Sequence, residues 1–534
     1  MAAKVADRLV RLLAEAGIRE IFGLPGGENL AILEAIRSHG LRFVLAHHES
    51  SAVFMADATS RLLRRPSACL ATLGPGAANA LPGIAHAFLD RSPVLLITAQ
   101  HSATWTGSHS HQRLELRSLF RPVTKASLQA TSGNVDALLR AALQTAQSGR
   151  PGPVHVCLSA EDAESNVRTN RVSYPEQSGF QPDEATRRRI VEIFREANRP
   201  AIVVGLGLEP ETPYDILRQL AERANAPVIT TPKAKGALND DHPLSAGTIG
   251  LTHEDPAYRL LDESDCILAV GLDVVELVRP WRQSAPLIWL ARWPNEDPKL
   301  RAVAEWVGPL SPILKALGET QYATGDTWGV FAVMDYVRQK TSSWPDRSSP
   351  FEGRVAPTLA LEAIRENTPD DAFLVTDVGS HKILAALEWP CFRPNSYLVS
   401  NGLSIMGYGL PAAVAVAISR PGSVVVALLG DGGLAMSLGE LRTLAEVDSP
   451  VIVVVLRDDA LELIRSKQYQ RGFRPFGTTF AGPDLRPIAA AYGLSYHYAA
   501  SARQCASHTR VAVRSGRSAL IEVPVDVAGY PTAA

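Results

Sequence analysis

Cysteine is scarce, with five in 534 residues and no two close together. Cys69, Cys157, Cys266, Cys391 and Cys505 give neither a metal-binding spacing nor a disulfide framework. Three lie in apolar runs ("SACLAT", "VHVCLS", "SDCILAV"), where a thiol packs as a small hydrophobe. An excess of one charge is also missing. The formal net charge of −2 gives no reason to expect nucleic acid or an anionic membrane as a partner. No run of about 18 apolar residues occurs, so no segment is expected to span a bilayer. The opening "MAAKVADRLVRLLAEAGIREIFGLPGG" interrupts its apolar positions with charge, unlike a signal peptide, which leaves the cytoplasm as the expected compartment. Short-period repeats and low-complexity tracts are absent too.

What is present is an ordinary globular composition, 46% hydrophobic and 20% charged, in a chain too long for one core. Short Val/Ile/Leu-rich runs alternate with helical segments. They include "RFVLAHH", "SACLATL", "PVLLITA", "PVHVCL", "AIVVGLG", "PVITT", "CILAVG", "FLVTDVG", "SVVVALLG", "VIVVVLR" and "ALIEVPV". The pattern predicts α/β architecture with three doubly wound parallel-sheet domains. Two polar, Ser/Pro-containing stretches, about 162–199 and 321–354, read as linkers. The domains are expected over 1–165, 185–320 and 350–534. In the middle one, "RPAIVVGLGLEP" is a strand followed by Gly-x-Gly. It suits a tight strand-to-helix turn better than a nucleotide site, though both need such glycines.

The sharpest signal is "LLGDGGLAMSLGELRTLAEVDSPVIVVVLRDDALELI". One hydrophobic run ends in Gly430-Asp431-Gly432-Gly433 and the next in Arg457-Asp458-Asp459. In a parallel sheet, ligands sit at the carboxyl ends of strands, so both carboxylates face the binding edge. The glycines let backbone amides approach phosphate oxygens, and the helix expected after them favours negative charge. Hard oxygen ligands beside phosphates suit Mg²⁺.

With Asp458 standing 27 residues after Asp431, this stretch resembles the motif of thiamine diphosphate-dependent enzymes. The resemblance covers nearly the whole chain and is nearest the acetolactate synthase (acetohydroxyacid synthase) large subunit. "IFGLPGGENLAIL", "HHESSAVFMADATSRL" and "ATLGPGAANALPGIAHAFLDRSPVLLITAQ" match the family's pyrimidine-binding domain. "TDVGSHKILAAL" and "SNGLSIMGYGLPAAVAVAI" match its diphosphate-binding domain. The resemblance implies that Asp431, Asp458 and the backbone oxygen of Ala460 hold Mg²⁺, with Leu461 next to them in the cofactor site. Gly379, Ser380 and His381 would cap the diphosphate, His381 donating to it. Glu49 would bond N1′ of the aminopyrimidine and drive its tautomerisation. Met406 would prop the cofactor into its bent form, and the Ser404 carbonyl would accept from the 4′-amino group. The family places its glutamate across a subunit interface, which implies a homo-oligomer with a dimer as minimum and a tetramer as the larger form.

Departures from the family concern the reaction. Gln112 matches an active-site Gln, whereas His111 stands where the synthases carry Phe. His109 and His111 are either imidazoles near the substrate or solvated loop residues. Gly27 stands where simple pyruvate decarboxylases carry an Asp that protonates the decarboxylated intermediate, which argues for ligation over aldehyde release. Glu28 is the adjacent acid that could substitute. Asp458 replaces the commoner Asn, and the neighbouring Arg457 is a candidate to offset its charge. Lys467, with Arg465 nearby, replaces an aromatic position of the acceptor pocket and would suit an anionic substrate. Gly271-Leu272-Asp273 lacks an Arg that helps hold FAD in the synthases, which counts against FAD.

The expected activity is decarboxylation of a small-molecule 2-oxo acid, or cleavage of a related C–C bond, with transfer of the acyl carbanion equivalent to a second carbonyl. The alternatives are a non-ligating decarboxylase or lyase on the same fold, and a non-catalytic regulatory paralogue.

Overall fold

The computed structural model describes residues 3–102, 111–168, 182–208, 214–252, 255–278, 281–322, 328–343 and 352–530. His109 lies outside them. The described residues contain three six-stranded sheets, every pair within them parallel. The first runs, in spatial order, Arg42–Leu45, Glu20–Gly23, Ser67–Ala71, Val94–Gln100, Val154–Ser159, Ala126–Gln129. The third runs Tyr397–Val399, Phe373–Thr376, Val425–Gly430, Val451–Arg457, Ala519–Pro524, Ser495–Tyr498. Counted along the chain, both follow the order 2-1-3-4-6-5, so the two share one topology. The middle sheet differs. Its order is Ala302–Val307, Leu287–Ala291, Cys266–Val270, Pro200–Val204, Val228–Thr230, Ser245–Thr248.

Central strands are continuous runs of branched aliphatics because helices cover both faces of a parallel sheet. Val451 to Leu456 are all buried. Each such side chain contributes roughly 1.5–3 kcal/mol on leaving water. All five cysteines are buried and free, and burial pushes the Cys157, Cys266, Cys391 and Cys505 thiols up to about 12. They pack as hydrophobes. No helix among the described residues is long and apolar enough to cross a membrane.

The chain forms two compact units. One contains residues 1–179, 403–420 and 437–448, and the other 180–402, 421–436 and 449–534. The first unit thus includes the helix Gly409–Ser419, which packs against the helix Glu49–Leu63.

Candidate functional site

In the larger unit, the third sheet reverses its strand order between Phe373–Thr376 and Val425–Gly430, where open α/β sheets bind ligands. Asp377, Val378 and Gly379 leave the first of these strands, and Asp431 leaves the second. Asp458 leaves the next strand over, Val451–Arg457. The 458–460 turn joins the two carboxylates. Asp459 N–H donates to Asp431 Oδ2 at 2.7 Å, and Ala460 N–H donates to Asp458 Oδ1 at 3.0 Å. Asp459 takes a left-handed φ of 54° to make this turn, an unusual conformation for a non-glycine residue. Leu461 N–H, bonded to Thr478 O at 2.7 Å, braces it from outside.

Burial and the charge of Asp431 raise the Asp458 carboxyl to about 7, and burial raises Asp431 as well. Two half-buried carboxylates that oppose each other's ionisation favour a shared cation. Among the described residues no group of three or more His, Cys, Asp or Glu is placed to hold a metal. Two carboxylate oxygens are a donor set compatible with an ion that takes few protein ligands and completes its shell with phosphate and water, as Mg²⁺ does.

Arg457 does not offset Asp458. Its guanidinium is committed to Asp459 at 2.9 Å and Glu522 at 2.8 Å. The cation that acts on Asp458 is Arg465, itself paired with Glu462. Lys467, on the same helix Glu462–Gln470, has no ion pair among the described residues.

The helix after the glycine motif starts at Asp431 rather than beyond Gly433, because Asp431 Oδ1 accepts the Gly432 amide at 2.8 Å. Gly433 also meets a packing constraint. A Cβ there would lie 2.4 Å from Asp377 Oδ2. The helix Ser380–Glu388 begins at Gly379, and His381 is buried in its first turn. The His381 ring rests against Gly379 and Gly430 and bonds the Asp377 backbone, while Nε2 is buried with no hydrogen-bond partner among the described residues. Burial lowers its pKa to about 4. With the other ring nitrogen donating to the Asp377 backbone, a neutral ring leaves Nε2 an acceptor, so it meets a phosphate oxygen only once the ring is protonated, a state that a bound anion favours.

In the other unit, the first sheet has its own reversal, between Glu20–Gly23 and Ser67–Ala71. Glu28 Oε2 accepts from Thr72 Oγ1 at 2.8 Å across it. Glu49 opens the helix Glu49–Leu63, is 8% exposed, and accepts from Asn79 Nδ2 at 3.1 Å. Gly76 fits between the two groups: a Cβ there would sit 2.8 Å from Thr72 Cγ2 and 3.0 Å from Glu49 Oε1. Gln112 packs on Gly74, whose φ of +56° and missing Cβ make room for it. A pocket of about 200 Å³ opens there, walled by Gln100, His101, Gln112, Arg113 and Arg117 among others. His111 is exposed, its carbonyl accepting from His101 Nε2 at 2.8 Å. Among the described residues, nothing lies within 4 Å of a Cβ position on Gly27.

Ser404 and half-buried Met406 belong to this same unit. Two groupings that sequence reasoning missed position them and Glu49. Tyr408 hydroxyl donates to Asp57 Oδ2 at 3.1 Å, and His86 bridges Asp57 at 3.2 Å and Asp90 at 3.1 Å, all fully buried or nearly so. This fixes the Met406 segment to the helix that begins at Glu49. Glu440 accepts from His47 N–H at 3.0 Å and so holds the turn that leads into Glu49. Apart from His86 and Asp90, four positions apart on one helix, the partners are tens to hundreds of positions apart, so no local motif announces them.

Three domain models of one family match the chain. The thiamine pyrophosphate enzyme N-terminal TPP-binding domain covers residues 3–119, the central domain 187–317 and the C-terminal TPP-binding domain 377–523. The chain is 30% identical to the acetolactate synthase isozyme 2 large subunit of Escherichia coli, over 98% of this chain and 95% of that one. It is 28% identical to a probable acetolactate synthase large subunit of Methanocaldococcus jannaschii, over 98% and 92% respectively. To an acetolactate synthase of Bacillus subtilis it is 27% identical, over 98% and 93%. The chain belongs to the thiamine pyrophosphate-dependent enzymes. Within them it is acetolactate synthase large-subunit-like, a C–C bond enzyme of the carboligase and decarboxylase kind.

Proposed function

We propose that the enzyme, with Mg²⁺ and thiamine diphosphate bound, decarboxylates a 2-oxo acid or cleaves a related C–C bond and passes the acyl unit to a second carbonyl compound. The observation that supports this best is the Asp431–Asp458 pair, joined through one turn and mutually repelling, on the same sheet edge as the orphaned His381 Nε2. Asp431, Asp458 and the Ala460 carbonyl would hold Mg²⁺. Gly379, Ser380 and His381 would hold the diphosphate, with Gly430, Gly432, Gly433 and Leu461 beside it.

The bound thiazolium supplies the electron sink. The rest is the work of this chain. Glu49, in a nearly dry setting, holds and exchanges the proton at N1′ of the aminopyrimidine. The Ser404 carbonyl and the Met406 side chain orient the ring. Gly27 leaves no acid at the position where a decarboxylase would quench the decarboxylated intermediate, and Glu28 is engaged by Thr72. Arg113 and Arg117 beside Gln112, and separately Lys467, favour a substrate with an additional anionic group. We propose a homo-oligomer, dimer or tetramer, which sedimentation reads directly.

A panel of 2-oxo acids, scored for CO₂ release and for product mass, tests the reading. A 2-hydroxyketone product is expected. Free aldehyde alone would support the non-ligating decarboxylase instead. No CO₂ from any member, despite tight cofactor uptake, would point to a regulatory paralogue.

A further inference from the structure

The middle sheet runs 3-2-1-4-5-6 along the chain and reverses between Pro200–Val204 and Cys266–Val270. That is the strand order and the crevice in which doubly wound domains hold a dinucleotide, its diphosphate on the amides of the first glycine turn. The turn is present as Gly205-Leu206-Gly207. All three of its amides are already used by the protein. Gly205 N–H donates to Val270 O at 2.9 Å and Gly207 N–H to Gly271 O at 2.7 Å. Leu206 N–H donates to the Glu276 carboxylate at 2.9 Å.

Glu276 is fully buried, and its other carboxylate oxygen accepts from the Thr231 hydroxyl. Its backbone carbonyl accepts from Asn401 Nδ2 at 3.0 Å, which fixes the short helical turn that carries it. The space over the turn is filled as well. A Cβ on Gly207 would fall 2.4 Å from the tip of the buried Trp293 indole, and one on Gly271 would fall 2.7 Å from the Gly207 carbonyl carbon. The glycines are needed here because two loops and an indole close on each other, which is a packing reason.

We infer that an internal acceptor, the Glu276 side chain, takes the place of a nucleotide diphosphate in this crevice, so the middle domain binds neither FAD nor another adenine dinucleotide. FAD, which the family resemblance raises, does not fit these residues, and no step of the reaction passes through it. Entry of a diphosphate would require expelling the buried Glu276 side chain from two donors and displacing Trp293.

The test uses the full-length protein from cells supplied with riboflavin. It is denatured and its supernatant read for flavin absorbance. Separately, the native protein is titrated with FAD and with ADP, followed by heat and by tryptophan emission. A cooperative thermal transition in the same preparation establishes folding whether or not thiamine diphosphate binds, so failure of the cofactor reading stays distinguishable. The expected result is no flavin band, no saturable signal up to about 1 mM, and an unshifted melting temperature. Stoichiometric flavin, or saturable binding with quenched tryptophan emission, overturns the inference.

Discussion

Glu49 and Gly27 are the residues at which chemistry and sequence separate most cleanly. Glu49 is nearly buried and bonded by Asn79, so Glu49→Gln keeps the shape and the hydrogen bond while removing the exchangeable proton. Its turnover is expected to fall by about 10²–10⁴-fold, with thiamine diphosphate affinity changed by less than tenfold. Steady-state kinetics paired with calorimetry read both quantities. A Cβ on Gly27 meets nothing within 4 Å among the described residues and Gly27 does not adopt a positive φ, so Gly27→Asp adds an acid without a clash. Free aldehyde should rise relative to 2-hydroxyketone in that variant, by product mass on one substrate. An unchanged ratio would remove Gly27 from the account of ligation.

At the scale of elements, the strand-tip pair makes a graded prediction. Asp431→Ala removes the carboxylate that receives both Gly432 and Asp459, and Mg²⁺-dependent cofactor uptake should weaken at least about 100-fold. Asp458→Asn removes the repulsion but keeps an oxygen that Ala460 can bond, so uptake should stay within about tenfold of wild type. Titration calorimetry at fixed Mg²⁺ separates the two.

The sequence made this pair visible because apolar runs ending in glycine and aspartate are local signals. All eleven apolar runs became strands. The strands it hid are mostly short or polar. Ser495–Tyr498 ("SYHY") and Ala126–Gln129 ("ASLQ") lie at sheet edges, half covered, where no apolar run is required. Glu20–Gly23 and Leu287–Ala291 are interior exceptions, the first four residues long and the second carrying a tryptophan among its aliphatics. Long-range polar ties were not legible either. Glu276 is one charge in an unremarkable loop until folding brings Leu206 and Thr231 to it. The offset assigned to Arg457 failed for the same reason, since Glu522, its stronger claimant, lies 65 residues away.

For the whole molecule, buried neutral histidines contribute one of two opposing responses to acid. His155, held by Thr98 at 2.8 Å and Ser127 at 2.7 Å, is lowered to about 3 by burial, and His381 to about 4. Below their ordinary value of 6.5 the unfolded chain binds protons that the folded chain refuses. Their contribution to stability therefore falls as pH drops from 6.5 toward 4, by up to about 1.4 kcal/mol per pH unit for each group. Asp255, raised to about 6 by burial, and Asp458, raised to about 7 by burial and the Asp431 charge, act in the opposite sense as pH falls through those values. The histidine contribution is consequently read as a difference: urea midpoints between pH 7 and 5 should slope less steeply in His155→Gln than in wild type.

The interleaving of the two units reaches beyond catalysis to how the gene can be cut. A product ending at residue 179 would lack Gly409–Ser419, the helix that covers Glu49–Leu63, and would lose the Tyr408 hydroxyl that Asp57 accepts. The face of Glu49–Leu63 that this helix covers would be bare in water. Such a truncation should precipitate or be degraded, and a split version of this enzyme would have to supply the missing helix on the same piece.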